Sequence, residues 1–284
     1  MQLSEIKNIF HLELDSLYPK EEVDTFFYRM LEHYLGLERF VLVMEPHYSI
    51  SKEEEQPFFE GISQLKLEKP LQYILGEAHF FDAIFKVNEH VLIPRPETEE
   101  LVNWIIDDCQ IKNDKSFKIL DIGTGSGCIA VALAKALQNS KVTALDVSAE
   151  ALAIAKENAQ LNNVEIEFIH ADILNIDSSK FPVYDIIVSN PPYVRELEKG
   201  EIQNNVKEHE PSLALFVPND NALLFYKAIA QFSKKNLSKE GKLYLEINQY
   251  LDEETKSLFA RENFKEIRLK KDIFENHRML RCSK

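Results

Sequence analysis

The residues with the clearest chemical potential are Ser189-Asn190-Pro191-Pro192-Tyr193, directly after the apolar run Tyr184 to Val188. Two prolines beyond a buried strand end its hydrogen-bond ladder and fix a short, stiff loop. Asn190 then projects an amide oxygen and an amide NH2 from rigid support. That equipment suits methyl transfer to an amide or aromatic amine, whose delocalised lone pair makes a poor nucleophile. Two acceptors facing the NH2 group hold the nitrogen in line with a sulfonium methyl and stabilise the positive charge that builds on it. The Asn190 side-chain oxygen and the Pro191 carbonyl supply both, and Tyr193 is expected to pack against the planar target. Asparagine is neutral and accepts without competing as a base. Taken alone, Asn-Pro-Pro-Tyr is only a turn; its weight comes from the residues upstream.

Upstream, Leu120-Asp121-Ile122-Gly123-Thr124-Gly125-Ser126-Gly127 closes another apolar strand. A glycine-rich turn between strand and helix lets the backbone approach a ligand, outside the carboxyl ends of the strands where such sheets bind. Asp146 ends the next strand, 23 residues after Gly123, where a carboxylate accepts hydrogen bonds from ribose hydroxyls. Asp172 is placed at the end of a third strand, to reach an adenine amino group, with Ile173 packing on the ring. Gly125 to Ala130 also fits G-x-G-x-x-A, so the loop alone leaves a nicotinamide dinucleotide and S-adenosylmethionine both open.

These residues need a scaffold. From Lys118 onward strands and helices alternate, with strands at 118–122, 141–145, 164–169, 184–188, 242–247, 267–269 and 279–282. This predicts an α/β fold, a doubly wound and mostly parallel seven-stranded sheet. The last two strands lie too close for a crossover helix and should form an antiparallel hairpin. Val23, Phe26, Phe27, Met30, Leu31, Tyr34 and Leu35 line one helix face, and Ser51 is placed to cap another helix. The expected division is a helical bundle over 1–68, a hairpin linker over 69–95 and the α/β domain over 96–284. A helix should begin at Pro96, which suits a first turn, with Glu97, Glu99 and Glu100 complementing its dipole.

The net charge of -14 argues against a phosphate-backbone partner. The three cysteines, Cys109, Cys128 and Cys282, form no C-x-x-C pair, so buried free thiols are expected and no metal site. Charged residues interrupt Met1 to Lys20, and no apolar run reaches the ~18 residues of a membrane span, so a soluble cytoplasmic protein with no membrane contact is expected.

In Gly123-Thr124-Gly125-Ser126-Gly127, Asp146, Asn190-Pro191-Pro192-Tyr193 and the run Ile93-Pro94-Arg95-Pro96-Glu97-Thr98-Glu99, the chain resembles a class I S-adenosylmethionine methyltransferase. More narrowly, it resembles the family that N5-methylates glutamine in bacterial peptide chain release factors; Pro70-Leu71-Gln72-Tyr73-Ile74 and Glu210-Pro211 also look familial. The resemblance implies a Rossmann-like domain and an N-terminal bundle that grips the release factor. It further implies the glutamine of a Gly-Gly-Gln loop as acceptor, with S-adenosyl-L-methionine as cofactor and S-adenosyl-L-homocysteine as product. The expected cofactor contacts are Asp121, Gly123, Thr124, Gly125, Ser126, Gly127, Asp146, Asp172, Ile173 and Asn190. The expected substrate contacts are Asn190, Pro191, Pro192, Tyr193, Arg95 and Glu97. Arg95 has two candidate partners, the methionyl carboxylate and Glu97. Ile173 departs from the aromatic common at its place. A monomer is expected, with no direct nucleic-acid partner. A methyltransferase for a ribosomal-protein glutamine shares nearly all these features. A DNA adenine-N6 methyltransferase shares the Asn-Pro-Pro-Tyr chemistry but needs a base-recognition region that the 91 residues after Tyr193 scarcely accommodate. A dinucleotide oxidoreductase would need a proton donor at the hydride site, and His11, His79, His170 and His209 read instead as surface or satisfied core residues.

Overall fold

In the computed structural model, residues 1–110 and 116–284 are described. Contacts divide them into two units, Met1–Gly76 with Asn204–His209, and Glu77–Gln203 with Glu210–Lys284.

The first unit is helical: α1 (Leu3–Leu14), α2 (Lys20–Leu35), α3 (Val41–Met44), α4 (Lys52–Leu65) and α5 (Leu71–Leu75). The stripe read on α2 is buried at Val23, Phe26, Phe27, Met30 and Leu31. It meets Phe10 of α1 and Phe58 of α4; the rings of Phe10 and Phe27 stand edge to face at 5.6 Å. Ser51 caps α4 as its sequence indicated. Its hydroxyl accepts from Glu54 N while Glu54 returns a bond to Ser51 N, satisfying two orphan donors.

The second unit begins with the hairpin β1 (Glu77–Phe80) and β2 (Ala83–Lys86), so the stretch expected to be extended from residue 70 first makes the helical turn α5. Then come α6 (Pro96–Gln110), β3 (Lys118–Ile122), α7 (Cys128–Ala136), β4 (Lys141–Asp146), α8 (Ala149–Leu161), β5 (Ile166–His170) and β6 (Tyr184–Ser189). After the short strand β7 (Val194–Arg195) the chain passes through α9 (Asn204–His209), which clusters with the first unit. The rest is α10 (Ser212–Leu215), β8 (Phe216–Val217), α11 (Leu224–Asn236), β9 (Leu237–Glu246), α12 (Asp252–Arg261), β10 (Lys265–Lys271) and β11 (His277–Ser283). The sheet order is β10-β11-β9-β6-β3-β4-β5; β11 runs antiparallel to both neighbours and the five strands from β9 to β5 are parallel.

Alternation along the strands separates two cores. Ile119, Ile186, Val188 and Tyr244 face α6 and α7, while Leu120, Ile187, Leu243 and Leu245 face α11 and α12. β9 starts five residues before its expected Lys242, because Leu237 already pairs with Tyr184 ahead of a register shift. β5 ends at His170, so Asp172 lies two residues beyond the strand that was expected to carry it to its end. The sheet reverses its winding between β3 and β6, which places the ends of those two strands at a topological switch point.

Candidate active site

The loop after β3 and the loop after β6 wall the same cavity, of about 330 Å³, at that switch point. Gly123, Thr124, Gly125 and Ser126 form one side, and Asn190, Pro191 and Pro192 form another. Gly123 and Gly125 have φ of +73° and +55°, and a Cβ built on either would stand in open space. Positive φ excludes most side chains there, and the missing side chains leave room against the backbone. Gly127 works differently. Its φ is +81° and a Cβ would lie 3.1 Å from Ala155 Cβ, so this glycine serves close packing of α7 on α8 and does not line the cavity. Asp121 is also behind the wall, fully buried, accepting from Thr124 Oγ1 at 2.6 Å. Asp121 braces the loop and Gly127 packs it, and neither is among the residues that line the cavity.

Asp146 lines the cavity from the end of β4. Its two oxygens accept from Gly125 N at 2.8 Å and Ser148 N at 2.9 Å, tying the glycine loop to the N-terminus of α8. A carboxylate has about four lone-pair sites, so capacity remains for a ligand hydroxyl. Asp172 and Ile173 line it as well; Asp172 turns its own loop by accepting from Leu174 N and Asn175 Nδ2. Asn158, buried on α8, donates to Ser126 O at 2.8 Å and holds both backbone groups of Lys86, locking the glycine loop from behind. Cys128 also reaches the cavity, but burial pushes its thiol up to about 12, so it presents a neutral side chain.

Asn190 follows Ser189, whose hydroxyl donates to Ile122 O at 2.7 Å and ties the end of β6 to that of β3. The Asn190 Nδ2 lies 3.2 Å from Thr98 Oγ1, Thr98 Oγ1 lies 2.6 Å from Glu246 Oε2, and Tyr193 Oη lies 2.9 Å from Glu246 Oε1. Burial raises the Glu246 carboxyl above its ordinary range, opposed by the hydrogen bonds from Thr98 and Tyr193. Tyr193 does not line the cavity. Its ring packs on the core beside α11, its hydroxyl bonds to Glu246, and burial drives that hydroxyl well above the ordinary tyrosine range.

Arg95 lines the cavity but pairs with buried Glu210, not with Glu97. The other Glu210 oxygen accepts from Ile93 N at 3.1 Å, so Glu210 fixes the Ile93–Arg95 backbone from a site 117 residues away. Glu97 is half-buried and does not line the cavity. Thr98, Glu246 and Asn158 carry no individual expectation from the sequence. Thr98 sits inside a run that serves only as a marker, Glu210 reads only together with Pro211, as a loop turn or a pair shaping a peptide channel, and Glu246 ends an apolar strand, which is the one available signal for a buried carboxylate.

A family model described as Methyltransferase small domain matches residues 108–210, and one described as PrmC N-terminal domain matches residues 14–76. The chain is 50% identical over 284 residues to the release factor glutamine methyltransferase of Flavobacterium psychrophilum, covering 100% of this chain and 99% of the relative. It is 40% identical over 271 residues to the release factor glutamine methyltransferase of Bacteroides thetaiotaomicron, covering 95% and 96%. Among solved structures, a methyltransferase from Pyrococcus furiosus superposes with a TM-score of 0.53 at 17% identity, over 82% of this chain and 98% of that one, which is a likeness of fold.

Proposed function

This chain belongs to the release factor glutamine methyltransferase family, and on that premise we propose that it transfers a methyl group from S-adenosyl-L-methionine to the side-chain amide nitrogen of a glutamine in a peptide chain release factor. The observation that carries the reading is the shared cavity, which has a glycine cradle on one wall and the Asn190-Pro191 corner on another. The cradle fits the cofactor, because Cβ atoms at Gly123 and Gly125 would project into the space a ligand would fill.

When bound, S-adenosyl-L-methionine supplies a sulfonium methyl, an already activated electrophile. The residues of this chain supply placement. Asp146 is assigned the ribose hydroxyls, and the loop carrying Ile173 one face of the adenine. Asn190 Oδ1 and the Pro191 carbonyl accept from the glutamine NH2 group, holding its nitrogen on the line of attack. The same two acceptors favour the charge that develops there; the nitrogen takes the methyl as the carbon–sulfur bond breaks with its electron pair left on sulfur, and it gives one proton to solvent. Arg95, held by Glu210, shapes the cavity wall and is available to an anionic group of either ligand. The helical unit at the N-terminus is assigned to gripping the release factor, in keeping with the match over residues 14–76.

The test is labelled methyl transfer from S-adenosyl-L-methionine to three acceptors: a purified release factor, ribosomal proteins and duplex DNA. Label on the release factor glutamine alone is the expected result; label on either of the others, with none on the release factor, overturns the reading. A second prediction concerns the cofactor half. Asp146→Ala is expected to weaken S-adenosyl-L-methionine binding by about 1 to 2 kcal/mol, since it removes a charged acceptor and loosens the glycine loop. Calorimetric titration measures this, and an unchanged dissociation constant would move the ribose contact elsewhere.

A further inference from the structure

A carboxamide is nearly symmetric in shape, so Asn190 can occupy its place with either its oxygen or its NH2 toward the cavity. The reaction proposed above needs the oxygen there. An NH2 group would present donors to a substrate NH2 and repel it.

The surrounding hydrogen bonds decide between the two. Glu246, 2% exposed at the end of β9, accepts from two hydroxyls, one on each oxygen. A threonine hydroxyl has a single proton. While Glu246 Oε2 carries no proton, Thr98, 2% exposed in the first turn of α6, gives its own to that oxygen at 2.6 Å, so toward Asn190 it has only lone pairs. The group 3.2 Å from it must then be a donor, the Asn190 NH2. Rotating the amide would set its oxygen against the lone pairs of Thr98, leaving two buried acceptors facing each other. Tyr193 has likewise given its one proton to Glu246. Asn248 Nδ2 also donates to the Tyr193 carbonyl at 2.9 Å, which ties down the loop just beyond the two prolines.

We infer that Thr98 and Glu246 are positioning residues that set the polarity of the Asn190 carboxamide, directing its oxygen toward the acceptor nitrogen. The inference rests on the proposed reaction for its consequence, but the polarity itself is readable without turnover.

Thr98→Val keeps the shape and removes the proton and the acceptor; Thr98→Ser keeps both. In full-length protein, Thr98→Val is expected to lower kcat for release factor methylation roughly 10- to 100-fold, as loss of an orienting partner does elsewhere. The dissociation constant for S-adenosyl-L-methionine and the KM for the release factor should stay within about twofold, because the first is assigned to the glycine loop and Asp146 and the second mostly to the helical unit, away from the amide. Thr98→Ser should restore kcat. A second readout is the side-chain amide resonance of Asn190 in nitrogen-15-labelled protein, assigned by its loss in Asn190→Ala. One of its protons should be shifted and protected from exchange in the native and Thr98→Ser proteins and released in Thr98→Val. Full kcat in Thr98→Val, failure of Thr98→Ser to rescue, or an Asn190 amide that exchanges freely in the native protein would each overturn the inference. Should the native protein methylate no release factor while the resonance behaves as described, the functional reading fails and the polarity assignment stands.

Discussion

Asn190→Ala is expected to slow methyl transfer by the equivalent of about 2 to 4 kcal/mol of transition-state stabilisation, while leaving S-adenosyl-L-methionine affinity near normal. The size follows from what is removed. The glutamine nitrogen shares its lone pair with the neighbouring carbonyl, so it becomes a competent nucleophile only as that conjugation is lost and positive charge gathers on the NH2 group. An acceptor already fixed beside it gains strength as the charge grows, and the buried, largely apolar surroundings of the cavity magnify the gain. Alanine leaves the Pro191 carbonyl as the lone acceptor. The cofactor's principal contacts are assigned to the glycine loop and Asp146, on the opposite wall, so its binding should barely change. Single-turnover labelled transfer at saturating cofactor measures the rate directly, and calorimetry measures the affinity. A variant with native turnover would remove Asn190 from the mechanism. One with weakened cofactor binding in proportion to its lost rate would make it a binding residue.

What could be read from the chain and what could not divide along sequence distance. The glycine loop, the Asn-Pro-Pro corner and the strands that carry them were legible because glycine and proline act on their own backbone within a few residues. The antiparallel ending was legible because a short connection forbids a crossover. The side-chain partners were not. Thr98 and Glu246 are 148 positions apart and meet only once β9 is laid beside β6 and α6 is packed against it. Glu210 reaches Ile93 and Arg95 in the same way, which is why the Arg95–Glu210 pair is not legible in the sequence. The Tyr193–Glu246 bond is illegible for a different reason. The prolines fix where the loop goes, but the direction of the next side chain depends on what it finds below, and the buried Glu246 carboxylate offers a bond that open cavity does not. Asp121 and Gly127 fell inside a recognised motif whose spacing is set partly by packing, and motif membership alone does not separate a residue that touches a ligand from one that holds the loop in place.

The buried acid behind that loop gives the second large effect. Burial, reinforced by the Asp146 charge and opposed by the Thr124 hydroxyl, raises the Asp121 carboxyl from 3.8 to about 7. In the unfolded chain it returns to its ordinary value, so between roughly pH 4 and 7 the folded state binds a proton that the unfolded state has released. Stability from this group is therefore full below the lower value and is lost as pH rises through the upper one. Asp121→Asn cannot titrate, yet its amide oxygen can still accept from Thr124. Relative to that variant, the native protein is expected to lose about 2 to 3 kcal/mol of unfolding free energy between pH 5 and pH 8, at ~1.4 kcal/mol for each unit in which the two states differ by one proton. Urea unfolding of both proteins at the two pH values measures the difference, and the comparison cancels the titration of every group they share. If the two proteins keep the same stability difference at both values, Asp121 ionises as an ordinary carboxylate and its burial is relieved by a partner other than Thr124. If the native protein loses the expected amount, Asp121 is protonated in the folded state below about pH 7 and ionises above it, accepting from Thr124 in either form and so holding the glycine loop.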